Sequence, residues 1–251
     1  MKTIAIYNNK GGCSKTVTAV NFSYNLSVLG YRVLLIDMDP QGNASSFYRR
    51  YDLNKPSVKE LLTGEKAPSR CVRRTIYENL DIIPANVRLR EVRPDNLVGG
   101  IKTLSCSSLV HEPFYDFCII DCAPGVDFLI EVVMEAADEV IIPIKPDRFS
   151  AEGLGTALDI IREYGHGCVE AGCVFTQFYR NRDTLKTVKD ILNTQDVRIY
   201  NNIVRRSSFV DHSVLVRRPL GRCASKSKAN LDYMDFTKEF LEKEGAKDGI
   251  A

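Results

Sequence analysis

Short apolar runs alternate with longer amphipathic segments along the whole chain. The runs at residues 3–7 and 32–36 are rich in β-branched residues and leucine, a pattern typical of strands buried on both faces of a sheet. Between them, apolar side chains recur at helical spacing over residues 15–29, and Gly30 follows as a natural helix end. The same reasoning predicts further strands at residues 80–83, 117–120, 139–144, 173–176 and 198–203.

Helical periodicity fills most of the intervals between these strands. It predicts helices over residues 127–137, 153–164, 185–193 and 231–244. A capping box of Ser57 and Glu60 predicts a further short helix that ends near Gly64. Such alternation implies right-handed crossovers, and hence one mainly parallel sheet with helices on both faces. We therefore predict a single doubly wound α/β domain spanning residues 1–251, whose ligands bind at the carboxyl ends of the strands.

Composition and charge narrow the class of protein. Apolar residues make up 44% and charged residues 26% of the chain, which excludes a disordered chain and a disulfide-stapled miniprotein. No apolar stretch is long enough for a membrane helix or a signal peptide, and the eight cysteines form no CxxC pair, so we expect a cytoplasmic protein without a membrane partner. Residues 180–228 hold 12 Lys or Arg against four Asp and no Glu, although the net charge is only +2. That basic segment indicates either a surface for a polyanion or a solvated face with counter-charges beside it.

A glycine-rich loop joins the first predicted strand to the first predicted helix. It reads Asn9-Lys10-Gly11-Gly12-Cys13-Ser14-Lys15-Thr16. Such a loop turns backbone N–H groups toward one point, which suits phosphate; Lys15 would reach the terminal phosphates and the Thr16 hydroxyl a Mg²⁺ ion. Asn9 and Ser14 stand where the strict phosphate-loop pattern has glycine. The alternative at this point is a plain glycine turn followed by a surface lysine.

Aspartates follow two of the predicted strands. Asp37 and Asp39 come at the end of the second strand, and Asp121 follows the strand at residues 117–120. Because the carboxyl ends of parallel strands meet at one edge of a sheet, these side chains should lie beside the loop. A magnesium–nucleotide site needs such oxygens, some around the metal and one to orient the attacking water. A single strand-end aspartate can simply cap the next turn, but three in order behind a lysine-bearing loop favour the site.

Together, these motifs resemble those of a known family. The segments KGGCSKT, VLLIDMDPQGN and FCIIDCAPG are similar to the deviant Walker A, A′ and B motifs of the ParA/MinD group of P-loop ATPases. More narrowly, the chain resembles the small, Soj-like ParA partition ATPases. The likeness runs nearly end to end and includes residues 141–154, 203–220 and 226–240.

The resemblance implies an ATPase that uses ATP with Mg²⁺ and forms a homodimer around the nucleotide. Lys10 resembles the lysine that crosses to the partner's nucleotide, as an arginine finger does, and Gly11 permits that close approach. Lys15 is expected to hold phosphate and Asp39 to orient the attacking water, which makes Lys10, Lys15 and Asp39 the implied catalytic residues. The other implied contacts are Gly12, Cys13 and Ser14 along the phosphates and Thr16, Asp37 and Asp121 around the metal.

Ser14 departs from the family pattern, which has glycine before the phosphate-binding lysine. A serine adds a Cβ and a hydroxyl where the backbone approaches the phosphates. Since the lysines and all three aspartates remain, we expect ATP to bind and hydrolysis to be slow. The alternative is a nucleotide-gated DNA-binding adaptor with little hydrolysis.

The same resemblance gives the basic segment a role. Relatives of this type bind duplex DNA without sequence preference on the ATP-bound dimer, and a ParB-like activating protein stimulates hydrolysis. The DNA-binding candidates here are Arg205, Arg206, Arg217, Arg218, Lys226 and Lys228. About three phosphate contacts in each protomer give a log–log salt slope of about −5.

Other assignments are less favoured. A MinD-like membrane positioner would end in a basic amphipathic helix, whereas residues 231–251 carry six acidic and three basic side chains. An iron–sulfur carrier would need paired cysteines, which the spacing lacks. A sequence-specific repressor would need a helix-turn-helix extension, for which we expect no room before the first strand. We therefore expect a nucleoid-associated partition ATPase, with another cargo-positioning ATPase as the alternative.

Overall fold

A computed structural model describes most of the chain. The described residues are 1–98, 115–165, 170–179, 183–184, 186–187, 190 and 197–245, with the backbone alone at 148–152.

The strands of the described chain form one sheet. They are β1 (Lys2–Ile6), β2 (Val33–Met38), β3 (Arg73–Arg74), β4 (Leu80–Ile83), β5 (Phe117–Cys122), β6 (Glu139–Ile144), β7 (Glu170–Phe175) and β8 (Arg198–Ile199). Their order across the sheet is β3-β4-β2-β5-β1-β6-β7-β8. Neighbouring strands are parallel except for β3 and β4. The predicted doubly wound, mainly parallel sheet is therefore confirmed.

Helices pack against both faces of this sheet. They are α1 (Lys15–Val28), α2 (Asn43–Phe47), α3 (Val58–Leu62), α4 (Pro68–Cys71), α5 (Phe128–Ala136), α6 (Arg148–Tyr164), α7 (Ser208–Val216), α8 (Leu220–Cys223) and α9 (Lys228–Lys243). Ser57 and Glu60 form the predicted capping box at the start of α3. Short 3₁₀ helices lie at Val87–Glu91 and Pro94–Asn96. The helix predicted over residues 185–193 lies largely outside the described residues.

Alternation along the strands divides the apolar core into two clusters. On β2, Leu34 faces one cluster, which includes Val133 of α5, and Leu35 faces the other, which includes Phe22 of α1. Phe22 packs against Phe236 of α9 with 5.4 Å between ring centroids. The long helix α1 is thereby fixed between the sheet and α9, and its N-terminus is held at the carboxyl end of β1.

The last predicted strand is shorter than expected. The pattern predicted residues 198–203, but β8 ends at Ile199. The backbone N–H groups of Asn201 and Asn202 donate to the Glu239 carboxylate, each at 2.8 Å, instead of to a neighbouring strand. A side chain of α9 therefore ends β8.

The structure also bears on the cysteines and on membrane-spanning helices. The described cysteines are free thiols, and most of them are buried, namely Cys13, Cys71, Cys118, Cys122 and Cys173. In the described part of the chain, no helix has both the length and the apolar character needed to cross a bilayer.

The sheet places β1 where the chain changes direction. From β1 the strands extend on one side through β5, β2 and β4, and on the other through β6 and β7. A crevice opens at the carboxyl edge of such a switch point, and ligands of open α/β sheets bind there. The glycine-rich loop and all three strand-end aspartates lie at this edge.

Gly42 closes the turn that follows β2. Its φ of +62° is left-handed, and a Cβ there would lie 2.5 Å from Tyr51 Cδ2 and 2.9 Å from the Ala85 carbonyl oxygen. Its N–H donates to the Asp39 carbonyl at 2.8 Å. The turn that carries Asp39 therefore requires glycine here for two reasons, backbone conformation and space.

We expect Gly42→Ala to lower the free energy of unfolding by about 2–4 kcal/mol, because left-handed strain adds to steric overlap. Gly30 is the matched control, since its φ is +92° and a Cβ there would meet nothing within 4 Å. Gly30→Ala carries strain alone and should cost about 1–2 kcal/mol. Urea denaturation measures both, and equal losses would contradict the steric part of this explanation.

Candidate functional site

The loop between β1 and α1 is closed on itself by Lys15. The Lys15 ammonium donates to the carbonyl oxygens of Asn8 and Lys10, both at 2.9 Å. Asn8 is itself held, because its side-chain amide donates to the Pro143 carbonyl at 2.8 Å and its Oδ1 accepts the Lys10 N–H at 2.9 Å. Burial lowers the pKa of Lys15 from its ordinary value. A buried lysine inside a glycine-rich loop at a helix N-terminus is an arrangement that an anion completes.

Ser14 occupies a backbone conformation that glycine adopts more easily. Its φ and ψ are 67° and 24°, and its hydroxyl does not cap α1. Instead, the hydroxyl accepts a hydrogen bond of 2.7 Å from Nε2 of Gln177, which also donates to the Gly12 carbonyl at 3.1 Å. Gln177 thus ties the serine-bearing loop to the segment that follows β7. The sequence pattern gave no signal for Gln177.

Two further lysines, one within the loop and one beside it, belong to this site. The stem of Lys10 packs on α6 at Gly153, where a Cβ would come within 2.6 Å of Lys10 Cε. Lys145 follows β6, and its ammonium lies 3.7 Å from where a Cβ of Gly12 would be. Sequence analysis did not single out Lys145. Lys10, Lys15 and Lys145 therefore place three cationic groups at the loop, which suits a polyphosphate.

Asp37 and Asp121 lie side by side at the ends of neighbouring parallel strands. They are register partners on β2 and β5, and both are fully buried. Asp37 accepts hydrogen bonds from the Asp39 N–H at 3.1 Å, the Ser45 N–H at 2.8 Å and the Ser45 hydroxyl at 2.6 Å. By contrast, neither carboxylate oxygen of Asp121 has a hydrogen-bond partner among the described residues.

Burial raises the pKa of both carboxyl groups. The pKa of Asp37 rises to about 6, although its bonds from Ser45 and Asp39 oppose the rise. The pKa of Asp121 lies well above its ordinary value because of burial and then the charge of Asp37. Thr16, which lies near Asp121 without a hydrogen bond of normal geometry, opposes that rise. Two adjacent buried carboxyl groups of this kind fit a nearby cation.

A magnesium ion fits this corner only together with phosphate. Among the described residues there is no group of three or more His, Cys, Asp or Glu side chains that could hold a metal ion. Magnesium sites of nucleotide enzymes commonly use one or two protein oxygens, water and the phosphates themselves. Thr16 and the unpartnered Asp121 supply such oxygens. Asp37 is less available to a metal ion, since both of its oxygens already accept hydrogen bonds.

Asp39 lies nearer to the surface of the site. It is 8% exposed, and its Oδ1 accepts the Gln41 N–H at 2.8 Å. This bond fixes the carboxylate at the end of the β2 turn, on the same sheet edge as Asp121. Of the predicted site residues, the structure therefore brings the loop, Thr16, Asp39 and the two deeper aspartates together.

The six basic candidates do not form one group. Arg205 is paired with Asp232 through bonds of 2.6 and 2.7 Å, which compensate its charge. Arg206 lies over the ring of Tyr179, 5.3 Å from its centroid. Both arginines line a cavity of about 250 Å³ whose other wall includes Ser14. Arg205 and Arg206 thus belong to the neighbourhood of the loop.

The remaining candidates lie elsewhere. Arg217 and Arg218 follow α7, are exposed, and line a different cavity with Arg49 and Arg50. Lys226 and Lys228, also exposed, lie on either side of Ser227, whose hydroxyl caps α9.

Main-chain hydrogen bonds connect the basic segment to the loop. The N–H of Phe178 donates to the Val204 carbonyl, and the N–H of Arg206 donates to the Phe178 carbonyl, both at 3.1 Å. Phe178 directly follows Gln177, which binds the loop. The backbone at 204–206 is therefore connected to the Ser14 hydroxyl through Phe178 and Gln177.

The stability of the ligand-free protein should depend on pH through Asp37. Its folded pKa of about 6 lies above the value of 3.8 in an unfolded chain, so the folded state holds the proton more tightly. The stability from the protonated group is fully present below about pH 4 and is lost as the pH rises through about 6. In urea unfolding between about pH 4 and pH 7, wild-type stability should fall relative to Asp37→Asn. A difference that stays constant or rises with pH would contradict this assignment.

Comparison with known proteins shows which family the chain resembles. A family model described as an AAA domain matches residues 1–167. The virulence plasmid ParA family protein pGP5-D of Chlamydia psittaci is 29% identical over 247 residues, covering 97% of this chain and 95% of that protein. The chromosome-partitioning ATPase Soj of Treponema pallidum is 28% identical over 253 residues, covering 98% of this chain and 99% of that protein.

Solved structures extend the likeness to three dimensions. Cobyrinic acid a,c-diamide synthase from Mycobacterium smegmatis, with a bound ATP analogue and magnesium, matches with a TM-score of 0.85 at 25% identity. The match covers 100% of this chain and 98% of that one. By its motifs, its fold and the matching family model, the chain belongs to the AAA-domain family and, within it, to the ParA/Soj group of P-loop ATPases.

Proposed function

We propose that this chain is a cytoplasmic, nucleoid-associated DNA-partition ATPase that alternates between a monomer and an ATP-bound homodimer. The unpartnered, buried Asp121 beside a lysine-closed phosphate loop is the observation that carries the proposal. Two relatives that match nearly end to end, a plasmid ParA family protein and a chromosome-partitioning ATPase, support it. Residues 1–251 then act as one ATPase domain.

ATP binds with its phosphates on the loop of residues 10–16. Lys15 turns from the carbonyls of Asn8 and Lys10 to the phosphate oxygens, which relieves the burial of its charge. The base enters the cavity beside Ser14, whose volume of about 250 Å³ lies below the roughly 300–1,000 Å³ of pockets that enclose whole drug-sized ligands. The cavity therefore takes only one end of the nucleotide.

Magnesium is held by the Thr16 hydroxyl, with Asp121 and then Asp37 around it. When bound, the ion neutralises charge that develops on the phosphates. Asp39 has one oxygen fixed by Gln41, and its other oxygen orients the attacking water. Of the three predicted aspartates, Asp39 is the most exposed, as that role requires.

Lys10 completes the site of the partner protomer. Its stem rests on Gly153 in the single chain, so crossing to a second nucleotide requires this long side chain to swing away from α6. An ammonium that arrives with the partner stabilises transition-state charge in the way that an arginine finger does. Hydrolysis is thereby coupled to dimerisation.

Duplex DNA binds to the dimer through basic side chains. Arg206, Arg217, Arg218, Lys226 and Lys228 contact phosphates, and Arg205 contributes less because Asp232 already pairs with it. A ParB-like partner stimulates hydrolysis and so releases the DNA. Turnover without the partner is slow, since the Cβ and hydroxyl of Ser14 stand where the backbone approaches the phosphates.

Ser14 and Gln177 should behave as one unit in ATP binding. Gln177→Ala removes the bond that offsets the left-handed serine, and we expect ATP affinity to fall about tenfold, the equivalent of one hydrogen bond. In the Ser14→Gly background the same substitution should have a much smaller effect, because glycine needs no such support. Isothermal titration of the four proteins forms a double-mutant cycle. Equal losses in both backgrounds would show that Gln177 does not act through the Ser14 hydroxyl, which would contradict this explanation.

DNA binding should require ATP and Lys10. In fluorescence anisotropy with an arbitrary duplex at low salt, we expect binding with Mg²⁺ and ATP but not with ADP or without nucleotide. Lys10→Ala should bind ATP yet lose dimerisation and DNA binding, whereas Lys238→Ala, an exposed lysine of α9, should match the wild type. Equal binding in all three nucleotide states would replace the proposal with a constitutive DNA binder.

A further inference from the structure

Arginines from two distant parts of the sequence meet on one surface. We call it the arginine surface, and its basic members are Arg49, Arg50, Lys55, Arg73, Arg74, Arg217 and Arg218. We propose that the arginine surface is a contact for the phosphate backbone of duplex DNA, so that the segment after β2 shares in DNA binding with the C-terminal basic segment. This inference rests on the proposed function and extends it to residues 49–74.

Two shallow cavities establish that the surface is continuous. One, of about 100 Å³, lies between Arg49 and Arg50 on one side and Arg217 and Arg218 on the other. A second, of about 280 Å³, is lined by the same Arg49 and Arg50 together with the other three basic members. Arg49 and Arg50 are thus shared, and the basic side chains form an unbroken row.

The charge of the surface is nearly uncompensated. Residues 49–74 contain eight Lys or Arg against three Asp or Glu, a local balance of +5 in a chain whose total is +2. The second cavity has one acidic side chain in its lining, Asp52, which lies 3.5 Å from Lys55. Within the described part of the chain, the six arginines of the surface form no ion pair with a carboxylate of the same chain. Such a field attracts a polyanion.

Backbone contacts hold part of this surface in place. Arg50 Nε donates to the Arg74 carbonyl at 2.9 Å, and Arg73 Nη1 donates to the Arg70 carbonyl at 2.7 Å. Beneath the row, the ring of Tyr77 packs edge-on against Tyr48, with centroids 5.9 Å apart. A fixed array loses less conformational entropy on binding than free surface side chains do.

The chemistry favours phosphate in a regular array over an acidic protein. Guanidinium groups match phosphate oxygens bidentately, and duplex DNA presents one such charge for about every 1.7 Å of its axis. The surface is a row of cations with shallow cavities and offers no deep pocket for a single anchoring side chain. The surface is continuous with Arg217 and Arg218, which are already proposed to bind DNA. One duplex can therefore contact both the segment after β2 and the C-terminal basic segment.

Removing two charges from the segment after β2 tests the proposal. Arg49 and Arg74 are exposed, and the double variant Arg49→Gln/Arg74→Gln removes both charges while keeping a long polar side chain at each position. Each phosphate contact contributes about −0.9 to the log–log salt slope, so the loss of two contacts in each protomer should make the slope of the dimer shallower by about 3.6. Affinity near physiological salt should fall at least about tenfold. The matched control is Arg90→Gln/Lys238→Gln, which removes two exposed charges outside both cavities and should leave slope and affinity unchanged.

A gain of affinity guards against loss through misfolding. Ile76 lines the cavity between the two halves of the surface and is 81% exposed. Ile76→Lys adds one cation per protomer in the middle of the row, and we expect DNA binding severalfold tighter with a steeper salt slope. A misfolded protein would not bind more tightly.

The outcomes separate this inference from the proposed function. If the wild type binds DNA with ATP and both variants behave as the control does, the inference is wrong while the partition function stands. If the wild type binds no DNA in any nucleotide state, the DNA-binding part of both proposals fails. Lipid headgroups are the other source of phosphate, and binding to them is measured by sedimentation with vesicles that contain about a third anionic lipid. Variant-sensitive binding to vesicles but not to DNA would overturn the inference in favour of a membrane surface.

Discussion

The rest of the site depends on two buried carboxyl groups that lie side by side at the ends of β2 and β5. Sheet register leaves Asp37 and Asp121 no freedom to separate, and burial makes the charge of each costly to the other. Asp37 is accommodated by Ser45, whose hydroxyl also accepts the Ala85 N–H at 2.8 Å and so joins α2 to the end of β4. Asp121 has no such support, which leaves it suited to a cation brought in with a ligand.

The loop beside this pair shows how a departure from a motif is absorbed. Serine in a left-handed conformation is strained by roughly 1–2 kcal/mol relative to glycine. A single well-formed hydrogen bond offsets about that amount. Gln177 provides the bond to the Ser14 hydroxyl, and its own φ of 54° is also left-handed. Two residues, Ser14 and Gln177, therefore both adopt a left-handed backbone conformation, and the hydrogen bond between them offsets part of its cost.

Much of this site could be predicted from the sequence because its residues belong to short, continuous motifs. Lys15, Asp37 and Asp121 were predicted together since each follows directly from a strand pattern and a motif. Gln177 was not, because it lies 163 positions from Ser14 and meets it only in the fold. Arg49 and Arg217 are likewise far apart along the chain, and no spacing rule joins them.

Other differences have equally physical causes. The strand at β8 was predicted too long because the pattern of side chains cannot show that Glu239 competes for backbone donors. Helix α7 was missed because its apolar residues Phe209 and Leu215 are exposed rather than aligned on a buried stripe.

The bonds between Phe178 and residues 204–206 involve only main-chain atoms. Their geometry is therefore indifferent to which side chains stand at those positions. Replacing the Arg206 side chain therefore leaves this backbone connection in place, whereas replacing Arg205 also removes its ion pair with Asp232. At position 206, the charge of the segment and its anchoring to the segment after β7 are thus separable properties.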